Sequence, residues 1–248
     1  MAGHSKFKNI MHRKGAQDKK RAKIFSRLGR EISVSVKESG PDPEKNIRLR
    51  SAITAAKSLN MPKDNIERAI KKGEGNDADS NYEEVRYEGY GPSGIAIIVD
   101  AMTNNKNRTA AEIRSIFSKH GGNLGETGSV SYNFKRLGSI SLEKQLANEE
   151  DLFEFAINNG SQDFEVNEDN YVVYCDQSHL HSLNEKIINK FGSTKSTELT
   201  WISENNIKVQ KESAEKLFNL LNSLEENDDV QNVSSNFEVS EEILQSLT

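Results

Sequence analysis

The sequence predicts an α+β multidomain fold: an N-terminal three-helix bundle followed by two α/β sheet domains, one of them a ferredoxin-like βαββαβ plait inserted in the other. Three observations predict it. Apolar residues recur at helical period through the first 75 of the 248 residues. Short β-branched runs alternate with helical stretches beyond residue 82. Formal charge divides at the same place: residues 1–75 hold 19 Lys+Arg against 8 Asp+Glu, and the rest hold 14 against 30. A formal +11 therefore precedes a formal −16 within a net charge of −5.

The first helix is expected from Asp18 to Val36, because Ile24, Phe25, Leu28, Ile32 and Val36 share one face, with Lys20, Lys23, Arg27 and Arg30 opposite. Ser39-Gly40-Pro41-Asp42-Pro43 breaks it. A second helix follows with Ile47, Leu49, Ile53, Ala56 and Leu59 as apolar candidates. A third starts at Pro62, a residue suited to a first helical turn. Asp64 and Glu67 near its start and Lys71 and Lys72 near its end complement the helix dipole, and Gly73 ends it. Gly75 to Asn81 lack periodicity and read as a linker.

Beyond the linker, strands are expected at Val85–Tyr87, Ile95–Ala101 and Val130–Phe134, with a helix from about Asn107 to His120 ended by Gly121-Gly122. The next elements are a strand (Ser139–Leu142), a helix (Glu150–Asn159), two strands (Phe164–Asn167, Tyr171–Cys175), a helix (Leu180–Phe191) and a strand (Leu199–Ile202). Their order is that of the plait. A short strand (Ile207–Val209), a helix (Ala214–Leu224) and a strand near Val230–Phe237 close the chain. The expected domains are therefore 1–75, 82–135 joined to 204–240, and 136–203.

Function begins with what the motifs exclude. Gly89-Tyr90-Gly91-Pro92-Ser93-Gly94 has the spacing of a dinucleotide fingerprint, but a strand and not a helix follows, so a hairpin turn with glycines at positive φ is the better reading. His120 to Gly125 is rich in glycine yet lacks the Lys-Ser/Thr pair of a phosphate loop, and reads as a helix cap and loop. Cys175, His179 and His181 are zinc-ligand types, but the two imidazoles leave a helix in different directions and a fourth ligand is not evident. No metal, cofactor or catalytic residue is assigned, and no nucleophile elbow or metalloprotease motif marks an enzyme. One cysteine excludes an internal disulfide, and no stretch reaches the ~18 apolar residues of a membrane span. Basic residues interrupt the N-terminus where a signal peptide would need an apolar core, so the expected setting is the cytoplasm.

The basic run is the positive signal. Residues 1–30 carry ten Lys/Arg and a single acid, Asp18, so i,i+4 ion pairing does not balance them. Such a run reads as a solvated helix face or as a polyanion site, and its density favours the second, with phosphates supplying the counter-charge. The candidate nucleic-acid contacts are Lys6, Lys8, Arg13, Lys14, Lys19, Lys20, Arg21, Lys23, Arg27 and Arg30. His4 and His12, set among cations that repel a divalent metal, are expected to assist phosphate contact.

The blocks Ala2-Gly3-His4-Ser5-Lys6, Asn9-Ile10, Arg13-Lys14, Gln17-Asp18 and Lys20-Arg21 resemble the N-terminus of the YebC family. So do Met61 to Ile70, Tyr87 to Pro92, Asn107-Arg108-Thr109 and Lys119 to Gly125, so the resemblance spans most of the chain. Two positions depart from the family pattern: Phe7 stands where a tryptophan is usual, which removes an indole N–H donor, and Asn104 stands for the usual aspartate before Asn105. The resemblance implies three domains, no cofactor and a bacterial cytoplasmic form. It also implies two functions: the one expected first is a non-enzymatic, DNA-binding transcriptional regulator, and the alternative is a translation factor that engages RNA or the ribosome. Both would use the same basic residues, and phosphate attraction does not tell them apart.

Overall fold

A computed structural model describes residues 17–75, 81–240 and 242–243, with the backbone alone for residues 17–20. The fold is the α+β multidomain arrangement expected, with seven α-helices among the described residues.

Three helices come first: α1 (Gln17–Ser39), α2 (Ile47–Ser58) and α3 (Lys63–Glu74). Their apolar faces meet in one cluster of Ile32, Val36, Leu49, Ala56, Met61 and Ile66. Asn46 caps α2 by accepting from Leu49 N at 3.0 Å, while its amide donates to the carbonyls of Ser35 and Gly40. One side chain thus fixes both the end of α1 and the start of α2. Where α1 and α3 cross, Gly73 has no room for a Cβ, which would lie 2.5 Å from Ser33 O and 2.7 Å from Val36 Cβ. Ser33, itself buried, ties the same crossing by donating to Ala69 O at 2.8 Å.

The first sheet has the order β3-β1-β2-β9, from β1 (Glu83–Tyr90), β2 (Ala96–Thr103), β3 (Asn123–Leu124) and β9 (Val230–Ser235). Helices α4 (Lys106–Lys119) and α7 (Lys211–Glu226) cover one face, burying Ile97, Val99, Ile113, Phe117, Leu217 and Leu221 together. The hairpin between β1 and β2 is present, with Ser93 at φ 60° and Gly94 at φ 74°. Gly89 and Gly91 serve close packing instead of positive φ. A Cβ on Gly89 would meet the Phe117 ring at 2.9 Å, and one on Gly91 would meet Ile97 Cδ1 at 2.9 Å.

The second sheet has the order β5-β6-β4-β7, which with the connection order βαββαβ is the ferredoxin-like plait. It comprises β4 (Phe134–Glu143), α5 (Glu149–Asn158), β5 (Ser161–Val166), β6 (Asn170–Cys175), α6 (Leu180–Phe191) and β7 (Ser196–Ser203). Its core gathers Ile140, Leu152, Val173, Cys175, Leu183 and Ile187. The expected strand at Val130–Phe134 is not formed: Ser131–Asn133 is a 3-10 turn and β4 starts at Phe134. Glu88 causes the bend, because its carboxylate accepts from Val130 N and Ser131 N at 2.9 Å each. Trp201 of β7 bridges the two sheets, its indole N–H donating to Asp100 on β2 at 3.1 Å and its ring carrying the Arg86 guanidinium at 4.9 Å. A two-stranded parallel pair, β8 (Ile207–Lys208) with β10 (Phe237–Glu238), closes the chain.

Candidate nucleic-acid interface

Helix α1 places Lys23, Arg27 and Arg30 at i, i+4 and i+7, hence on one stripe. The structure turns this stripe onto the C-terminal end of α7 and the loop that follows. Arg27 Nη2 donates to the carbonyl of Glu225 at 2.7 Å, supplying one of the last-turn carbonyls with a cationic partner. Arg30 Nη1 donates to the carbonyl of Asp228 and, at 3.1 Å, to Asp229 Oδ1. The ammonium of Lys23 is buried without a hydrogen-bond partner. Burial and the neighbouring Arg27 push its pKa down to about 8, against the pull of Asp228, Glu226 and Glu225. Arg27 is also shifted down, chiefly by burial, although Glu225 and Glu198 oppose the shift.

Asp229 anchors this docking. It is almost fully buried and accepts from Arg108 Nη2 at 2.7 Å, Thr109 Oγ1 at 2.6 Å and Thr103 Oγ1 at 3.2 Å as well as from Arg30. Burial alone would raise its pKa, but the Thr109 and Arg108 hydrogen bonds and the charges of Arg30 and Arg108 hold it below the ordinary value. Asn105 caps α4 by accepting from Arg108 N at 3.0 Å, which sets Arg108 and Thr109 on the turn that faces Asp229.

The bundle is fastened elsewhere too. Arg48 on α2 holds Glu31 through two bonds of 2.7 and 3.0 Å and also reaches Glu84 on β1. Arg50 lies 3.9 Å from Glu185 on α6.

Arg21 is exposed, with its guanidinium 5.5 Å from the centre of the Phe25 ring. The backbone of Lys19 and Lys20 lies on the first turns of α1. His4, Lys6, Lys8, His12, Arg13 and Lys14 fall outside the described residues. Of the described candidates, Lys23, Arg27 and Arg30 are thus drawn to the acidic body, and Arg21 stays on the open surface. Cys175 is fully buried in the plait, with its thiol pushed up to about 11 mainly by burial. His181 Nδ1 lies 3.5 Å from Ser51 Oγ. Among the described residues, no group of three or more His, Cys, Asp or Glu is placed to hold a metal ion.

A groove of about 440 Å³ runs between α1 and α3, which sequence reasoning did not single out. Phe25, Ser26 and Gly29 of α1, Arg68 and Lys72 of α3, and Tyr82 line it. Lys72 Nζ donates to Tyr82 OH at 3.0 Å, and Arg30 lies 5.4 Å from the centre of the Tyr82 ring. The sequence assigns Lys72 to the helix dipole and shows nothing that brings Tyr82, across the linker, to the same place.

Sequence models of two known regions match the chain. The TACO1/YebC protein N-terminal domain matches residues 5–76, and the TACO1/YebC second and third domain matches residues 82–237. Among solved structures, the crystal structure of a conserved hypothetical protein from Aquifex aeolicus is 46% identical, covering 91% of this chain and 93% of that one, with a TM-score of 0.85.

Proposed function

The chain belongs to the TACO1/YebC family, and from that premise we propose that it is a cytoplasmic, nucleic-acid-binding regulator of gene expression that engages phosphates through its N-terminal bundle and acts by binding, not catalysis. The observation that carries this reading is the division of charge. Arg30 pairs with Asp229, Arg27 donates to the backbone carbonyl of Glu225 and Lys23 lies near Glu225, Glu226 and Asp228, and seven further Lys/Arg precede Lys23 in the sequence with Asp18 as the one acid among them. Phosphates supply the remaining counter-charge, with release of condensed ions as the drive. The carboxylate Asp229, whose pKa is held down by its partners, is engaged in holding elements together, as is Oε2 of Glu88, and a general acid or base needs a free approach to substrate.

Two finer readings share this interface. The first is regulation of transcription through promoter DNA, which the family resemblance implies. The second is a translation factor bound to ribosomal or other structured RNA, and the geometry favours it. A helix that reads duplex DNA needs one free face to lie in the major groove. Helix α1 is buried from Ile32 to Val36 and docked on α7 at Arg27 and Arg30. The body behind the bundle carries a formal −16, so it is repelled by a long duplex but suits a ribosome surface that mixes phosphate with basic protein.

Binding of the purified chain to a promoter library and to ribosomes, at the same near-physiological salt, tests the choice. Ribosome association without sequence-selective duplex binding is the expected result, and the reverse would overturn the RNA reading. Replacing Lys19, Lys20 and Arg21 with Glu should abolish both kinds of binding and leave the α/β body folded. Unchanged binding by that variant would refute the interface itself.

A further inference from the structure

Resting on that reading, we propose that the groove between α1 and α3 takes one nucleotide of a single-stranded nucleic acid, with Arg68 and Lys72 at its phosphate and Gly29 providing the space for its base. Gly29 stands in the interior of a 23-residue helix, where glycine is, proline apart, the poorest residue for stability. Neighbouring helices do not require it: a Cβ built there meets nothing within 4 Å. Gly73, on the facing helix, is the contrast, because the α1–α3 contact leaves no room for its Cβ. A side chain at Gly29 would project into the groove that Gly29 lines. The missing side chain therefore keeps open a volume that none of the described residues fills.

The groove's chemistry identifies the occupant. Its volume of about 440 Å³ is that of a small-ligand site, and the groove is open to solvent along its length. Arg68 rests on neutral groups of its own helix, Asp64 O at 3.3 Å and the side chain of Asn65, so its charge is available to an anion. Lys72 likewise meets the neutral phenol of Tyr82. Phe25 and Tyr82 add aromatic surface, and Ser26 adds a hydroxyl. Cations interleaved with aromatic rings form the usual site for unpaired bases, which stack while their phosphates are neutralised. RNA recognition commonly draws single bases out in this way.

The full-length chain would be titrated against a labelled, unstructured oligoribonucleotide and against a duplex of the same sequence. Three variants are compared with wild type: Gly29→Leu, the pair Arg68→Gln with Lys72→Gln, and the triple reversal Lys19→Glu, Lys20→Glu, Arg21→Glu. Gly29→Leu should weaken single-strand binding at least about tenfold while melting no lower than wild type, since leucine is the better helix former. The Arg68/Lys72 pair should lower the slope of log affinity against log salt by about 1.4, the value for two single-strand phosphates. If wild type binds and the triple reversal does not, but both groove variants bind as wild type does, the groove assignment fails and the wider reading stands. Equal weakening of single-strand and duplex binding by Gly29→Leu would overturn the single-strand choice. Absence of binding by wild type would overturn both.

Discussion

Replacing Asp229 with asparagine keeps the shape of the side chain and removes its charge, and the structure sets how much that should cost. The carboxylate is 4% exposed and faces Arg30 at 3.1 Å, itself 16% exposed, and Arg108 at 2.7 Å, 45% exposed. The half-exposed Arg108 pair is screened by water and is worth about 0.5–1 kcal/mol. The enclosed Arg30 bond, charge-assisted, is worth about 1.5–3 kcal/mol. Together the substitution should destabilise the chain by about 3 kcal/mol at neutral pH, read from urea unfolding followed at the single tryptophan, Trp201. The pKa of Asp229 is depressed in the folded chain. Its contribution is therefore fully present above the unfolded value of about 3.9 and disappears as pH falls through the folded value. The two proteins should accordingly converge in stability as the medium is acidified below about pH 4. A double-mutant cycle with Arg30→Met should show a coupling of at least about 1 kcal/mol, locating part of the loss in the docking of α1. A loss under about 0.5 kcal/mol at pH 7, or one that persists unchanged at acid pH, would refute the account of Asp229 as the charged anchor.

Two further outcomes follow from packing and burial. Gly73→Ala places a Cβ 2.5 Å from Ser33 O and should destabilise the bundle by about 1–3 kcal/mol, seen as early loss of amide exchange protection in α1 and α3 while the plait keeps its own. Asp100 behaves oppositely to Asp229: burial raises its pKa despite the Trp201 hydrogen bond and the charges of Arg136 and Arg86, so its ionised form opposes folding at neutral pH. Asp100→Asn, which can still accept from Trp201, should therefore be at least as stable as wild type at pH 7, and a loss above about 1 kcal/mol by thermal unfolding would contradict that sign.

Periodicity made the helices legible because burial follows it closely in α1: Ile32 and Val36, on the apolar face read from sequence, are buried in the bundle core. It did not reveal that Ser33 and Ser35 on the same helix are buried too, since their hydroxyls bond to backbone carbonyls and carry no apolar signature. The plait was readable from element order, as its strands are six to ten residues long and alternate with two clearly periodic helices. Val130 looked like a strand residue because it is apolar and β-branched, but the carboxylate of Glu88, far away in sequence, takes its N–H and bends the chain. Two-residue strands such as β3 leave no pattern to read.

The candidate interface shows the same division. The stripe of Lys23, Arg27 and Arg30 was correctly placed on one helix face, yet a helical period gives the direction of a side chain and not its partner. Those partners lie about 200 positions along the chain, and nothing near α1 in the sequence points to them. Gly29 was equally silent, because a glycine that leaves space open and one demanded by a tight crossing look alike until neighbours are placed.

The acidic body is then more than a region that phosphate avoids. It meets the distal part of α1, where Arg30 pairs with Asp229 and Arg27 donates to the carbonyl of Glu225, while Arg21 lies on the open surface beside Phe25. The two kinds of ionic contact respond differently to salt. Contacts between exposed cations and phosphate weaken steeply as counter-ions are added, because binding is driven by their release. The pair formed by Arg30 and Asp229 is enclosed, at 16% and 4% exposure, and is screened far less. If the chain binds nucleic acid as proposed, salt that strips the nucleic acid would therefore leave the bundle seated on α7. A basic helix held in this way would meet such a target already oriented, with the ordering cost of bringing bundle and body together met on folding rather than on binding.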